Sequence, residues 1–66
     1  MKVAVNGTAD QFPENTSIHD VVASKTLQEE IVIVLLNGEM LKKEVWADTR
    51  LQAGDKIEIV RVVGGG

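Results

Sequence analysis

Six apolar residues in a row, Ile31-Val32-Ile33-Val34-Leu35-Leu36, constrain this chain more than any other feature. The first four are β-branched, and β-branched side chains fit a pleated strand better than a helix. The run is far too short to span a bilayer. It reads as a strand that is apolar on both faces. Such a strand needs neighbours on either side and a second layer against its sheet. The chain has sixty-six residues and no cysteine with which to build them. A domain of that size buries only about 60% of the surface its unfolded form exposes. With no disulfide or thiolate metal site to help, packing and backbone pairing carry the stability.

The neighbouring elements follow from local chemistry. Val3 and Val5 alternate with Lys2 and Ala4, the period of a half-buried strand. Asn6-Gly7 comes next, the strongest short signal for a tight hairpin. Thr8 to Phe12 returns as a second strand, and Pro13 ends it because proline has no N–H for a ladder. Ser17 is a good helix N-cap, and Asp20 three residues later resembles a capping box with a short acid. Ile18, Val21, Val22 and Lys25 recur at helical spacing, giving a short helix that ends between Ser24 and Leu27. After the apolar run, Asn37-Gly38 makes a second turn and Met40-Leu41 a short return. Lys42 to Arg50 has no clean period, and Trp46 is expected to anchor it to the body. Ala53-Gly54-Asp55 turns the chain into a final strand, Lys56 to Val63.

The order is strand, strand, helix, strand, short strand, strand. The helix covers one face of the sheet. Placing the last strand beside the first puts a parallel pair at the centre, joined by a right-handed crossover. The expected fold is α+β, a ubiquitin-like β-grasp with a mixed four- to five-stranded sheet and one helix packed across one face. Residues 1–63 form that domain, and residues 64–66 a flexible glycine tail.

Alternation assigns the faces. Val3, Val5, Ile18, Val22, Val34, Leu36, Leu41, Leu51, Ile57 and Ile59 are expected inside. One helix covers only one face, so Ile33 and Leu35 turn to water with Glu58, Val60 and Val62. Ile33, Leu35, Val60 and Val62 are therefore expected to form an exposed apolar patch for a partner.

Several functions are excluded. The formal net charge is −3, and an acidic surface repels phosphate backbones. Phe12 and Trp46 are the only aromatic residues, too few for a base-stacking platform. The pair Lys42-Lys43 reads as a solvated loop. Nucleic acid is not an expected partner, and neither is a membrane. The opening run Met1 to Val5 is too short for a signal peptide, which makes the cytoplasm the default location. His19 is the single histidine and there is no tyrosine. Glu29-Glu30, Asp48 and Asp55 fall in loops or turns. No catalytic residue, resident cofactor or metal site is expected.

Gly64-Gly65-Gly66 follows the last strand directly. Residues without a Cβ can thread a channel that any side chain would block. A carboxylate is a poor electrophile until activated, for example by adenylation. A bare tail would let the Gly66 carboxylate reach the α-phosphate of ATP in an activating enzyme, while the folded body supplies binding energy.

Over its full length the chain resembles the ThiS-type sulfur carrier proteins of thiamine biosynthesis. The resemblance rests on Asn6-Gly7, Ser17-Ile18-His19-Asp20-Val21-Val22, Leu36-Asn37-Gly38 and Glu44-Val45-Trp46-Ala47. It rests also on Leu51-Gln52-Ala53-Gly54-Asp55-Lys56-Ile57 and on the terminal Gly65-Gly66. Gly64 departs from it, since the family tolerates a small residue there. The resemblance implies that a ubiquitin-activating-type adenylyltransferase, using ATP and magnesium of its own, adenylates Gly66. A persulfide sulfur donor then displaces AMP and leaves a thiocarboxylate, which thiazole synthase consumes. Gly64 and Gly65 thread the tail, and the free carrier is a monomer. Three alternatives stay open: a molybdopterin synthase small-subunit type of carrier, a ubiquitin-like modifier, and a plain β-grasp interaction module.

Overall fold

The computed structural model describes residues 1–26 and 31–62. The expected helix end at Leu27, the Glu29-Glu30 pair, the strand end at Val63 and the glycine tail lie outside the described residues.

Both Asn-Gly dipeptides form the turns their chemistry calls for. Strand β1 (Lys2–Val5) runs through Asn6-Gly7 into β2 (Thr8–Gln11). Strand β3 (Val32–Leu36) runs through Asn37-Gly38 into β4 (Glu39–Leu41). Asn6 and Gly7 have φ of 52° and 82°, and Asn37 and Gly38 have 52° and 86°. Positive φ at both central residues is the signature of a type I′ turn, whose twist matches the strands it joins. A Cβ built on Gly7 or Gly38 would meet no atom within 4 Å. Backbone conformation, rather than crowding, is what calls for glycine there.

Helix α1 (Ile18–Lys25) follows Ser17, whose Oγ accepts from the Asp20 N–H at 3.1 Å. Among the described residues the Asp20 carboxylate makes no return bond to Ser17, so the expected capping box is half formed. The aspartate side chain is one methylene shorter than the glutamate that such a box prefers. Backbone bonds complete the anchoring of this end: Ile18 N–H to Thr49 C=O and Leu51 N–H to Thr16 C=O, both 2.8 Å. Thr26 closes the other end, its N–H and Oγ1 both donating to Val22 C=O. Strand β5 (Lys56–Arg61) completes the sheet.

The strand order is β2-β1-β5-β3-β4. β1 and β5 are parallel, with Val5 beside Ile57, and the other pairs are antiparallel. The last strand thus lies at the centre, between the first and the third. This is the mixed five-stranded sheet with one helix expected from the sequence.

The core joins Val3, Val5, Val34, Ile57 and Ile59 from the sheet to Ile18, Val21 and Val22 from α1, with Leu51 and Trp46. Four assignments need correction. Val21 and Trp46 are buried although the expected inward positions omit both; Trp46 does anchor its segment to the body, as expected. Leu36 and Leu41 are only half-buried, packed against its margin. One element accounts for much of this. Lys43–Asp48, expected to be irregular, is a 3₁₀ helix that packs against α1. Trp46 points inward from it and donates Nε1–H to Leu41 C=O at 3.2 Å. A buried indole normally finds such a partner. Trp46 is thereby a core residue beside β4, where strand alternation had assigned Leu41.

Candidate functional site

The face of the sheet away from α1 divides into two zones. Cross-strand register fixes both. Toward β1 and β2 it carries Lys2, Gln11, Ala4 and Ala9, followed by Lys56 and Glu58 of β5. Toward β3 and β4 it is apolar. Ile33 pairs with Val60, Leu35 with Glu58 on one side and with Met40 on the other. The Val62 N–H donates to Ile31 C=O at 2.9 Å, so the β3–β5 pairing continues one rung beyond the strand ends. Side chains alternate along a strand, so Ile31, Ile33 and Leu35 share this face with Val60 and Val62.

Exposure separates these residues from the core. Ile31 is 71% exposed, Met40 67%, Val60 47%, Val62 45% and Ile33 39%. Leu35 departs from expectation, because it is half-buried rather than open to water. β3 has a neighbour on each side, and Leu35 sits between the side chains of Met40 and Glu58. Ile33, Val60 and Val62 stand where the alternation put them. Ile31 and Met40 were missed, though both were within reach of the same reasoning. Ile31 is two residues before Ile33, and a two-residue turn at Asn37-Gly38 necessarily sets Met40 opposite Leu35.

The patch ends where the tail begins. Val62 is its last member and stands two residues before Gly64. Gly64, Gly65 and Gly66 lie outside the described residues.

The rest of the surface offers little chemistry. His19 is exposed beside Asp20 in the first turn of α1. Among the described residues no group of three or more His, Asp or Glu side chains converges as metal ligands would. None of their helices is long and apolar enough to cross a membrane. The Lys25 ammonium, 2.5 Å from Asp10 Oδ2, holds the Asp10 carboxyl below the usual range, and the Gln11 N–H on Oδ1 adds to this. That pair links β2 to the end of α1.

A five-stranded β-grasp sheet, one covering helix and an apolar face leading into a glycine tail define a ubiquitin-like carrier domain. Residues 2–66 match the model of the ThiS family. The chain is 41% identical over 63 residues to the sulfur carrier protein ThiS of Bacillus subtilis, covering 94% of this chain and 96% of that one. A crystal structure of the thiamine biosynthesis protein ThiS from Geobacter metallireducens superimposes with a TM-score of 0.83 at 33% identity, with full coverage of both chains. A thiazole synthase of Paramagnetospirillum magneticum is 30% identical over all 66 residues, which make up 20% of that longer protein. The chain belongs to the ThiS family, and it is a sulfur carrier of thiamine biosynthesis rather than a catalyst.

Proposed function

We propose that the Gly66 carboxylate is the group that carries sulfur. The observation behind this reading is that the family match runs through residue 66, so the glycine tail belongs to the matched segment. The carboxylate oxygen attacks the α-phosphorus of ATP in a ubiquitin-activating-type adenylyltransferase. Pyrophosphate leaves and an acyl adenylate forms. The terminal sulfur of a partner's persulfide then attacks the acyl carbon and expels AMP. A thiolate breaks the resulting S–S bond, leaving a disulfide behind and a thiocarboxylate on Gly66. ATP, magnesium and the sulfur donor all belong to the partners, and the carrier meets them in the cytoplasm.

Gly64 and Gly65 serve as the threading segment, since neither presents a side chain to a narrow channel. Thiazole synthase is the acceptor. The Paramagnetospirillum thiazole synthase supports this, because a segment similar to this entire chain is part of the same polypeptide. Both partners dock on the apolar face formed by Ile33, Leu35, Val60 and Val62, widened by Ile31 and Met40. Monomeric proteins seldom keep such a face open without a use for it. Docking there aims the tail at the partner's reacting atoms.

Intact mass after incubation with the activating enzyme, ATP and a persulfide donor tests the reading. The expected product gains one oxygen-for-sulfur exchange, located to Gly66 by fragmentation. Gly65→Val is expected to keep the melting temperature and to abolish adenylation. Carrier joined to lysines of other proteins would indicate a modifier instead, and an unchanged mass an inert interaction module.

A further inference from the structure

Asn6 contributes more to this fold than a turn. β1 ends at Val5, and its last main-chain bond to β5 runs from the Asn6 N–H to Ile57 C=O at 2.8 Å. Beyond that point the chain has turned away into β2, so β1 offers no carbonyl to the next inward-facing N–H of β5. The Asn6 side chain supplies one. Its Oδ1 accepts from the Ile59 N–H at 2.8 Å, across 53 residues of sequence. The bond is part-buried and Ile59 belongs to the core, so without the carboxamide this N–H would be left to whatever water can reach it. An open notch of about 430 Å³, lined by Asn6, Lys25, Thr26, Ile59, Val60 and Arg61, marks where β1 has left the sheet. On this side the carboxamide of Asn6 stands in for a strand.

The other Asn-Gly turn provides a matched contrast. Asn37 Oδ1 accepts from the Lys56 N–H at 2.9 Å, at the beginning of β5. There the main chain reinforces the contact, because the Asn37 N–H also donates to Lys56 C=O at 2.7 Å. Asn6 acts on the part of β5 that leads to the tail, and Asn37 on the part that leads away from it.

We propose that Asn6 is a positioning residue for sulfur transfer. It braces the free side of β5 at Ile59, from where the chain runs, still paired with β3, through Val62 into the tail, and so steadies the delivery of that tail to a partner's active site. The proposal rests on the reading that Gly66 is activated by a partner. Small displacements of a reacting end are costly, with about 1 Å worth roughly a hundredfold in rate. Val60 and Val62 of the docking face stay paired with Ile33 and Ile31 when this brace is lost, so the chemical step should suffer more than binding.

Three variants test this in the full-length chain. Asn6→Gly keeps the positive-φ corner and removes the carboxamide. Asn6→Asp keeps an acceptor oxygen and tolerates the same backbone. Asn37→Gly makes the same change at the other turn. The measurements are amide hydrogen exchange, residue by residue, and steady-state kinetics of adenylation with the carrier as varied substrate. In Asn6→Gly, Ile59 exchange is expected to rise by about tenfold or more, and kcat to fall by about tenfold or more with KM changed by less than about twofold. Asn6→Asp should restore both, and Asn37→Gly should leave kcat at the wild-type value. The proposal is overturned if Ile59 exchange in Asn6→Gly is unchanged, or if both glycine variants lose kcat equally. A wild-type chain that is not adenylated would refute the reading of Gly66 and this proposal with it. A normal wild type with a normal Asn6→Gly overturns this proposal alone.

Discussion

Val34 and Ile33 are adjacent in β3 and similar in chemistry, yet one is completely buried and the other 39% exposed. Val34 lies across from Ile59 and Leu41, on the face that α1 covers. Ile33 lies across from Val60, on the face that nothing in the described chain covers. The same division runs through β5, where Ile57 and Ile59 are buried and Glu58 and Val60 are not. A sheet with one helix has apolar material for two layers and a covering for one. On the covered face apolar residues stabilise the fold, and on the open face they are available to partners.

Stability measurements give the largest test of that difference. Ile57→Ala is expected to cost about 2–5 kcal/mol in chemical denaturation, through lost transfer energy and a residual cavity. That is a large fraction of what a domain of this size has. Binding gives the next. Val60→Asp is expected to leave the fold intact by NMR and to weaken binding to the activating enzyme and to thiazole synthase by about tenfold, or about 1.4 kcal/mol. Unchanged affinity for both would separate recognition from the open face. Leu35→Ala sharpens the contrast from the other side. Leu35 is half-buried and faces away from the helix, so its truncation is expected to cost only about 1 kcal/mol. A loss equal to that of Ile57→Ala would mean that the two faces do not differ in the energetic sense argued above.

The smallest effect is electrostatic, at the rim of the covered face. The Asp10 carboxyl, held low first by Lys25 and then by the Gln11 N–H, has a folded pKa below its unfolded value. Its contribution to stability is present above the unfolded value, about pH 4, and is lost as pH falls through the folded one. Lys25→Met is expected to remove most of that dependence. The gap in melting temperature between wild type and variant should narrow steadily below about pH 4. Both partners are well exposed, so the gap should be slight even at neutral pH.

Much of this architecture can be read from short stretches of chain. Asn-Gly specifies a type I′ turn because positive φ is a property of those two residues. Ser17 caps α1 because its hydroxyl meets an N–H three residues on. The facing of β3 and β5 follows from a period of two, and the turn at Asn37-Gly38 then determines who sits opposite whom. The patch residues Ile33, Val60 and Val62 came from this arithmetic, and Ile31 and Met40 lay within its reach. The family resemblance, too, was carried by short motifs in order along the chain.

Other features depend on elements meeting after the chain has closed. Trp46 sits in a segment without hydrophobic period, and its place in the core arises because a 3₁₀ helix lies against α1 and turns the indole toward Leu41 C=O. Leu35 is half-buried because Met40 and Glu58 crowd it from two different strands. Asn6 and Asn37 look identical in their dipeptides. One carboxamide completes the ladder at Ile59, 53 residues away, and the other at Lys56, 19 residues away. Dihedral preference and alternation act between near neighbours, so a local stretch of sequence expresses them in full. A hydrogen bond between residues at opposite ends of the chain exists only where the closed sheet brings a donor to its acceptor.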